Sequence, residues 1–587
     1  MLLLDLEIYK DYFLFQTLDT KTREVVSIDF YPGKTLDTET IRNMMLSDTT
    51  IGFNSLKFDL PILICALAGW DNQRLKDLSD QIIFADSVWD VLREHDINVP
   101  YDWRHIDLIE ISPGKASLKI YGGRLNAPKM QDLPIDPSAS IGVEDREIIR
   151  RYCLNDLETT FILLKKLAPQ LKLRAEMTDI YDIDLRSKSD AQIAEILIRQ
   201  VLEKSTKQKY SAPTLGESYT FRYKFPRIIK FKQICTSAVY NKIRGEYFVL
   251  AENGSVRMPD WLAAQRIKIG QAEYQMGIGG LHSCEKSQYF EADEDYRIGD
   301  WDVTSMYPSI ILQQGIAPMQ LGEPFLKLYK TFVEKRIEAK KSGDKVLADT
   351  YKLLTNSAYG KFGSKYSFLY SPDLLAQTTL TGQLSLLMLI ERLESEGLRV
   401  ISANTDGIVV YFHKDRERDV ERIMFDWMLD TTYGLERTDY RSIASRDVNN
   451  YVAVKLDGSV KGKGIFAEPS LSKNPDGTVV YRAVAQHIAS GTPIESTILG
   501  CKNIFDFCTV RRVTGGAVWR GVLLGKAIRF YHSTEGDVIT YAKNGNRVPN
   551  SEGTMPMMDA LTEFPKDVDY QFYLEKAAKL LKEVGYA

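Results

Sequence analysis

Asp5 and Glu7 stand two residues apart in "LLLDLEIY", a run with the pattern of a β-strand, and the strand period of two points both carboxylates to one face. Half-exposed strands often carry such pairs, so this one alone identifies nothing. In "IGFNSLKFDLPIL" Asn54 and Asp59 sit at the mouth of a strand-to-helix turn, and in "RRYCLNDLETT" Tyr152 and Asp156 are one helical turn apart on a shared face. Four acids converging from separated segments could hold two divalent metal ions. Such a pair activates a water and stabilises a leaving oxygen, which is the chemistry of phosphodiester hydrolysis, with Tyr152 orienting the water.

A second set of groups follows. "YRIGDWDVTSMYPSII" reads as a strand ending in acids, after which the chain turns at Pro308 so that backbone amides can face a triphosphate. "RVISANTDGIVVYF" reads as two β-branched runs meeting at a polar turn, with Asp406 at the tip and Asn404 on the same face. In "TYKLLTNSAYGKFG" Lys352, Asn356 and Tyr359 form one stripe of a helix, and "EKRIEAKKSGD" places Arg336 and Lys340 one turn apart. A cationic stripe of this kind suits phosphoryl transfer, and a charged helix face would also explain Arg336 and Lys340.

These groups need several structural units to position them. At 587 residues the chain exceeds one core. Its 44% hydrophobic and 26% charged residues are those of a globular protein, and a formal charge of −4 gives no global basic signature for coating nucleic acid. Six scattered cysteines form no CxxC pair, so reduced thiols are expected and a structural zinc is not. The N-terminus fails as a signal peptide and no apolar run reaches a spanning length of about 18 to 20 residues, so a cytoplasmic protein without membrane contact is expected.

Three strands, "LLLDLEIY", "DYFLFQTLD" and "VVSIDFYP", precede helical patterns at "LPILICALAGW" and "DREIIRRYCLNDLETTFILLKKLAPQL", an α/β unit of about 170 residues. "SKSDAQIAEILIRQVLEK" reads as a helix, and "VDYQFYLEKAAKLLKEVG" as a last one. "TFRYKFPRIIKFKQ", from Thr220 to Gln233, holds five basic residues, four aromatics and no acid. It reads either as a solvated amphipathic strand or as a surface that follows a phosphate backbone.

In order and spacing, "DLE", "NSLKFD" and "YCLND" resemble the three exonuclease motifs of proofreading family B DNA polymerases. "DWDVTSMYPSII" resembles the family's first polymerase motif, DxxSxYPS, and "KLLTNSAYG" matches the second, KxxxNSxYG. The hairpin lies where the third motif belongs, usually DTD and here NTD, with Gly407 where Ser is more usual. "YQMGIGGLHS" is similar to the hinge YxGG, with Gly277 where a Tyr is common, and "NNYVAVKLDGSVKGKGIF" to the primer-contacting KxY, with Asn449 in the lysine position.

The resemblance implies an α/β multidomain fold in which an RNase H-like 3′→5′ exonuclease domain is followed by a right-hand polymerase of palm, fingers and thumb. Expected boundaries give an exonuclease at 1–170, a helical connector at 171–270, palm at 271–325, fingers at 326–370, palm again at 371–465 and thumb at 466–587. By the same resemblance Asp5, Glu7, Asp59 and Asp156 hold the exonuclease metals, Asn54 and Phe58 contact a single-stranded 3′ end, and Lys129 in "NAPKMQDLP" meets the scissile phosphate. Asp302, rather than Asp300, and Asp406 become the polymerase ligands with the Val303 carbonyl, while Asp300 reads as an exposed or structural neighbour. Ser305, Met306, Tyr307, Arg336, Lys340, Lys352, Asn356 and Tyr359 bind the nucleotide, Tyr307 lying under its sugar. Gly279, Gly280, Asn404, Tyr451, Lys461 and Lys463 contact DNA, with Arg511, Arg512, Arg520, Lys526 and Arg529 as thumb contacts.

The implied activity is primer extension by deoxynucleoside triphosphates on primer-template DNA, with proofreading and two Mg²⁺ per site, replaceable by Mn²⁺. About fifty positions separate Asp302 from Asn356 and Asn356 from Asp406, too few for the insertions of protein-primed phage relatives. Ordinary primers, a phage replicative enzyme, a monomer in the host cytoplasm, and helicase and single-strand-binding partners are the expectation. The rivals are an exonuclease with a dead polymerase site, a DNA-binding scaffold, and a primase.

Overall fold

The computed structural model describes every residue except Tyr101, Glu217 and Ala587. The chain is a mixed α/β protein of two compact units: Met1–Ser189 with Pro469–Val479 and Leu499–Tyr573, and Asp190–Glu468 with Val480–Ile498 and Leu574–Ala587. The stretch from 466 expected as one thumb is therefore divided between the units, and the first break falls at 189 rather than 170.

The first unit is built on a five-stranded sheet. Strands β1 (Leu2–Tyr9), β2 (Tyr12–Asp19) and β3 (Val25–Phe30) run antiparallel, and β4 (Thr50–Gly52) and β5 (His105–Asp107) continue parallel to β1, in the order β3-β2-β1-β4-β5. Helices cover both faces, so β1 is largely buried on both although one of them carries two acids. Leu4, Leu6 and Ile8 pack in the core that holds helices Asp59–Leu67 and Asn72–Phe84. Asp5, Glu7 and Tyr9 take the opposite face, against helix Val143–Lys166. The long helical pattern ends at Leu167, where Pro169 in the first turn of helix Ala168–Tyr181 cannot continue the hydrogen-bond ladder. A four-stranded antiparallel sheet, in the order Ile539–Tyr541, Thr509–Trp519, Val522–Asp537, Thr554–Pro556, completes this unit.

The second unit centres on an antiparallel sheet in which Tyr296–Val303 lies between Gly407–His413 and Leu435–Asp447. Asn450–Lys455 and Val460–Lys463 extend one edge, and Arg399–Thr405, Leu281–Ser283, Ala272–Met276 and Ile267–Ile269 the other. Helix Pro372–Ser395 is buried along almost its whole length in this unit's core. Helices Gly322–Ser342 and Lys345–Lys361 form an antiparallel hairpin joined by Gly343 at φ 76° and by Asp344, whose carboxylate accepts from the Leu347 amide at 3.0 Å. Helix Asp190–Thr206 packs beside that hairpin. Among the described residues no helix is long and apolar enough to cross a membrane.

Candidate active sites

In the first unit, β1 presents Asp5 and Glu7 to helix Val143–Lys166, which brings Tyr152, Cys153 and Asp156 to the same place. Donor atoms of Asp5, Glu7 and Cys153 all lie within 4.8 Å of one another, and the Cys153 thiol donates to Asp5 Oδ2 at 3.6 Å. Asp59 opens its helix with Oδ1 accepting the Leu6 amide at 3.1 Å, which ties the helix start to β1.

Burial pushes the carboxyls of Asp5 and Glu7 well above the usual range. Asp59, Glu7 and Asp156 add to the effect at Asp5, and Asp156 adds to it at Glu7 against the opposing Lys119 ammonium. Burial with the neighbouring Asp107 lifts Asp59 to about 7, and burial lifts Asp156 to about 6 despite Lys119 and the Tyr152 hydroxyl. Four hard oxygen donors so crowded with negative charge fit divalent cations of the Mg²⁺ or Mn²⁺ type.

Lys119 was not singled out by sequence. Its ammonium donates to the Tyr152 hydroxyl, lies 4.7 Å from the centre of that ring and reaches Asp132 at 3.4 Å. Lys129 is exposed instead, on a short β-bridge with Asp559. Asn54 takes a left-handed φ of 61°, and its amide, like that of Leu56, donates to the buried Asp107 carboxylate at 2.7 and 3.0 Å. Asp107 thus shapes the loop carrying Asn54 and Phe58. Arg529 is fully buried, donating to the carbonyls of Met557 at 2.8 Å and Ala127 at 2.9 Å, so the expected duplex contact there is corrected to an internal brace.

In the second unit, Asp302 pairs across the sheet with Gly407, and the Val303 amide donates to the Asp406 carbonyl at 2.7 Å. The strand end and the hairpin tip are stitched together, and both carboxylates open onto solvent. Thr405 turns the hairpin at φ 61° and Ser305 turns the chain at φ 50°, ahead of helix Met306–Gln314. The turn expected at Pro308 therefore lies at Ser305, with Pro308 inside the helix. Desolvation, then Asp300, lifts Asp302 to about 6 against the pull of Lys461, and desolvation raises Asp406 as well.

Asp300 is buried rather than exposed. It accepts from Lys461 Nζ at 3.0 Å and from the Tyr440 hydroxyl, and Lys461 also reaches that hydroxyl at 2.9 Å. Lys463 feels the field of Asp406 and Asp302 and lies 6.0 Å from the Tyr451 ring centre. Asn404 donates through Nδ2 to the Val448 carbonyl at 2.8 Å and accepts from Thr405 Oγ1 at 3.1 Å.

Ser305, Met306, Tyr307, Arg336, Asn356, Tyr359 and Asp406 line one cavity of about 350 Å³. Arg336 Nη1 donates to Ser305 Oγ at 2.8 Å, and the rings of Tyr307 and Tyr359 stack at 4.2 Å and 17°. The Tyr307 hydroxyl donates to the Gly279 carbonyl at 3.1 Å, and a Cβ on Gly280 would fall 3.0 Å from Thr405 Cα. Lys340 and Lys352 stand exposed on the two hairpin helices, outside that lining.

No family model matches the chain. It is 29% identical over 214 residues to DNA polymerase 1 of Aeropyrum pernix, covering 30% of this chain and 22% of that protein. It is 27% identical over 197 residues to a DNA polymerase of Archaeoglobus fulgidus, covering 28% of this chain and 25% of the relative. The matched stretch thus spans about a quarter or less of either relative's length. The similarity is homology to DNA polymerases. A solved structure titled as the family B DNA polymerase from Pyrobaculum calidifontis aligns at TM-score 0.42 and 14% identity, over 99% of this chain and 77% of that one.

Of two further groups at this site, one was legible in the sequence. Cys153 lies three residues before Asp156, the spacing of one helix face, so its place beside Asp5 had a signal. Lys119 in "SLKIYGG" had none, because its position depends on how helix Leu118–Arg124 packs on helix Val143–Lys166.

Proposed function

We propose that this chain is a template-directed DNA polymerase of family B that extends a primer 3′ end and proofreads it with a 3′→5′ exonuclease, as the replicative enzyme of a phage. The observation that carries the reading is the strand end bearing Asp302 joined to the hairpin tip bearing Asp406, through the Val303 amide and the Asp406 carbonyl, beside a cavity lined by Asp406, Arg336, Asn356 and the stacked Tyr307 and Tyr359. Under this reading the β3-β2-β1-β4-β5 sheet is an RNase H-like exonuclease core, the antiparallel sheet around Tyr296–Val303 is the palm, and the hairpin 322–361 is the fingers.

Asp302, Asp406 and the Val303 carbonyl would hold two Mg²⁺ ions, which when bound supply Lewis acidity and charge neutralisation at the α-phosphate. Arg336 in the cavity, with the exposed Lys340 and Lys352 of the hairpin helices, would balance the triphosphate. The Tyr307–Tyr359 stack would give a flat wall for the sugar and the nascent base pair, with the Tyr307 ring excluding a 2′-hydroxyl. Lys463 approaches the primer end. In the exonuclease, Asp5, Glu7, Asp59 and Asp156 would hold the metals and Tyr152 would orient the attacking water, its hydroxyl kept in place by Lys119.

The test is a primed template with Mg²⁺. Wild type extends the primer, Asp302→Asn does not and still degrades a single strand, and Asp5→Ala does the reverse. Extension by Asp302→Asn overturns the site. A second reading, an exonuclease with a dead polymerase site, draws on Asn404 in place of an acid, and extension by wild type excludes it.

A further inference from the structure

The segment Thr220–Gln233 is irregular chain for most of its length, with Thr220–Phe221 in a strand and a turn at Arg227–Ile228, closed by the Ile229 amide donating to the Pro226 carbonyl at 3.3 Å. Tyr223 and Ile229 are buried, and Phe221, Phe225, Ile228 and Phe231 pack against the same core. Its backbone is clasped by helix Pro372–Ser395. The Lys224 amide donates to Gln377 Oε1 at 2.8 Å and its carbonyl accepts from Gln377 Nε2 at 2.6 Å, while the Lys232 amide donates to Glu391 Oε1 at 2.5 Å. With the apolar side chains inward and the backbone fixed, Arg222, Lys224, Arg227, Lys230 and Lys232 all face out. Gln377 and Glu391 are fourteen residues apart, so the row is about 21 Å long at about 1.5 Å per residue.

A solvated protein face ordinarily mixes both signs of charge. Here no acid interrupts the segment, and none of the five cations is in an ion pair among the described residues. Glu323 and Asp373 share a cavity with Arg222 and Lys224; Glu323 pairs with Lys327 at 3.1 Å, and Asp373, which accepts from Ser371 at 2.8 Å, leaves one negative charge against the five cations. Five exposed like charges on a segment held at both ends repel one another and so favour a polyanion. At the near end the Arg222 guanidinium lies 3.9 Å from the ring centre of Tyr247, which is 55% exposed and offers a face on which a base can stack.

The row also has an address. Gly315, Ile316 and Ala317 line the cavity with Arg222 and Lys224, and they directly follow helix Met306–Gln314, which starts at the catalytic cleft. Nine residues of helix put the start of the row about 13 Å from the cleft.

We propose that Arg222, Lys224, Arg227, Lys230 and Lys232 form a track for unpaired single-stranded template near the polymerase cleft. The proposal rests on the polymerase reading. At the duplex spacing of about 3.4 Å per phosphate the track holds about six nucleotides, and fewer if the strand is stretched.

The test compares binding of the full-length protein, in EDTA, to primer-templates whose 5′ template overhang is two or twelve nucleotides. Wild type should bind the long overhang at least tenfold more tightly. Arg227→Gln with Lys230→Gln and Lys232→Gln should abolish that difference and make the salt slope for the long overhang shallower by about 2, at about 0.7 per lost phosphate contact. The two-nucleotide substrate should keep its affinity. Equal weakening on both substrates, or an unchanged slope, overturns the track. Should the triple variant melt early, each single variant is expected to lose about 0.7 of slope and is read the same way. Extension of the short-overhang primer by wild type tests the polymerase reading separately. Extension without overhang dependence sinks the track alone, and overhang dependence without extension sinks the polymerase reading alone.

Discussion

Gly407→Ser would install the residue that the resemblance leads one to expect after Asp406, and under the proposed function it should lower primer extension. A Cβ on Gly407 falls 2.2 Å from Asp302 Oδ1, 3.3 Å from its Cγ and 3.4 Å from the Trp301 carbonyl oxygen. An ordinary carbon-to-oxygen contact is about 3.3 Å, so the carboxylate oxygen must retreat by about 1 Å. Gly407 does not have a positive φ, so its backbone accepts a side chain without strain, and rotating one exposed carboxylate costs little stability. The loss should therefore appear in catalysis. A misplacement of about 1 Å at a reacting centre costs about a hundredfold in rate, or about 2.7 kcal/mol of barrier. Single-turnover primer extension at saturating deoxynucleotide should fall by about that factor in both Gly407→Ser and Gly407→Ala. Degradation of a single strand, which the proposed function assigns to the other carboxylate cluster, is the internal control. Wild-type extension by either variant would refute the claim that Asp302 must occupy the position it holds here.

Asn404→Asp replaces the amide that donates to the Val448 carbonyl by a second acceptor, a loss of about 1 kcal/mol, so extension should drop by less than about tenfold while Asp406→Asn falls below detection in the same assay. Lys119→Met should lower exonuclease turnover by about a hundredfold and spare polymerisation, whereas Lys129→Met, on an exposed bridge, should do less. The metal-free protein should melt at higher temperature as pH falls from about 7 to about 5. Asp59, at about 7, and Asp156, at about 6, retain protons in the folded state that the unfolded chain has released, so stability declines as pH rises through that window. Asp59→Asn should flatten the melting-temperature slope, and an unchanged slope would contradict the burial argument.

The carboxylate faces were legible because they depend on local periods. Two-residue spacing put Asp5 with Glu7, four-residue spacing put Tyr152 with Asp156, and alternating β-branched runs around Asp406 gave the hairpin. What depends on partners distant in sequence was not legible. Asp300 shares the face of Asp302 by the same period, yet its burial is set by Lys461 and Tyr440, which arrive on other strands. Arg529 looked like a surface cation because nothing in "KAIRFYHS" shows that the Ala127 and Met557 carbonyls wait for it. The division of the residues after 466 between two units likewise depends on packing that no local pattern encodes.

The buried helix Pro372–Ser395 also sets a timetable for the growing chain. Its Gln377, Gln383 and Glu391 hold backbone at Lys224, Gly277 and Lys232, residues made 153, 106 and 159 positions earlier. At a synthesis rate of about 5 to 20 residues per second, the cationic segment leaves the ribosome roughly 8 to 30 seconds before the residues that clasp it. Through that interval its inward aromatics have no core to enter and its five cations lie beside ribosomal RNA. A cell making this protein quickly would have to shield that segment, and truncation before residue 391 should leave a product that sticks to nucleic acid without folding around it.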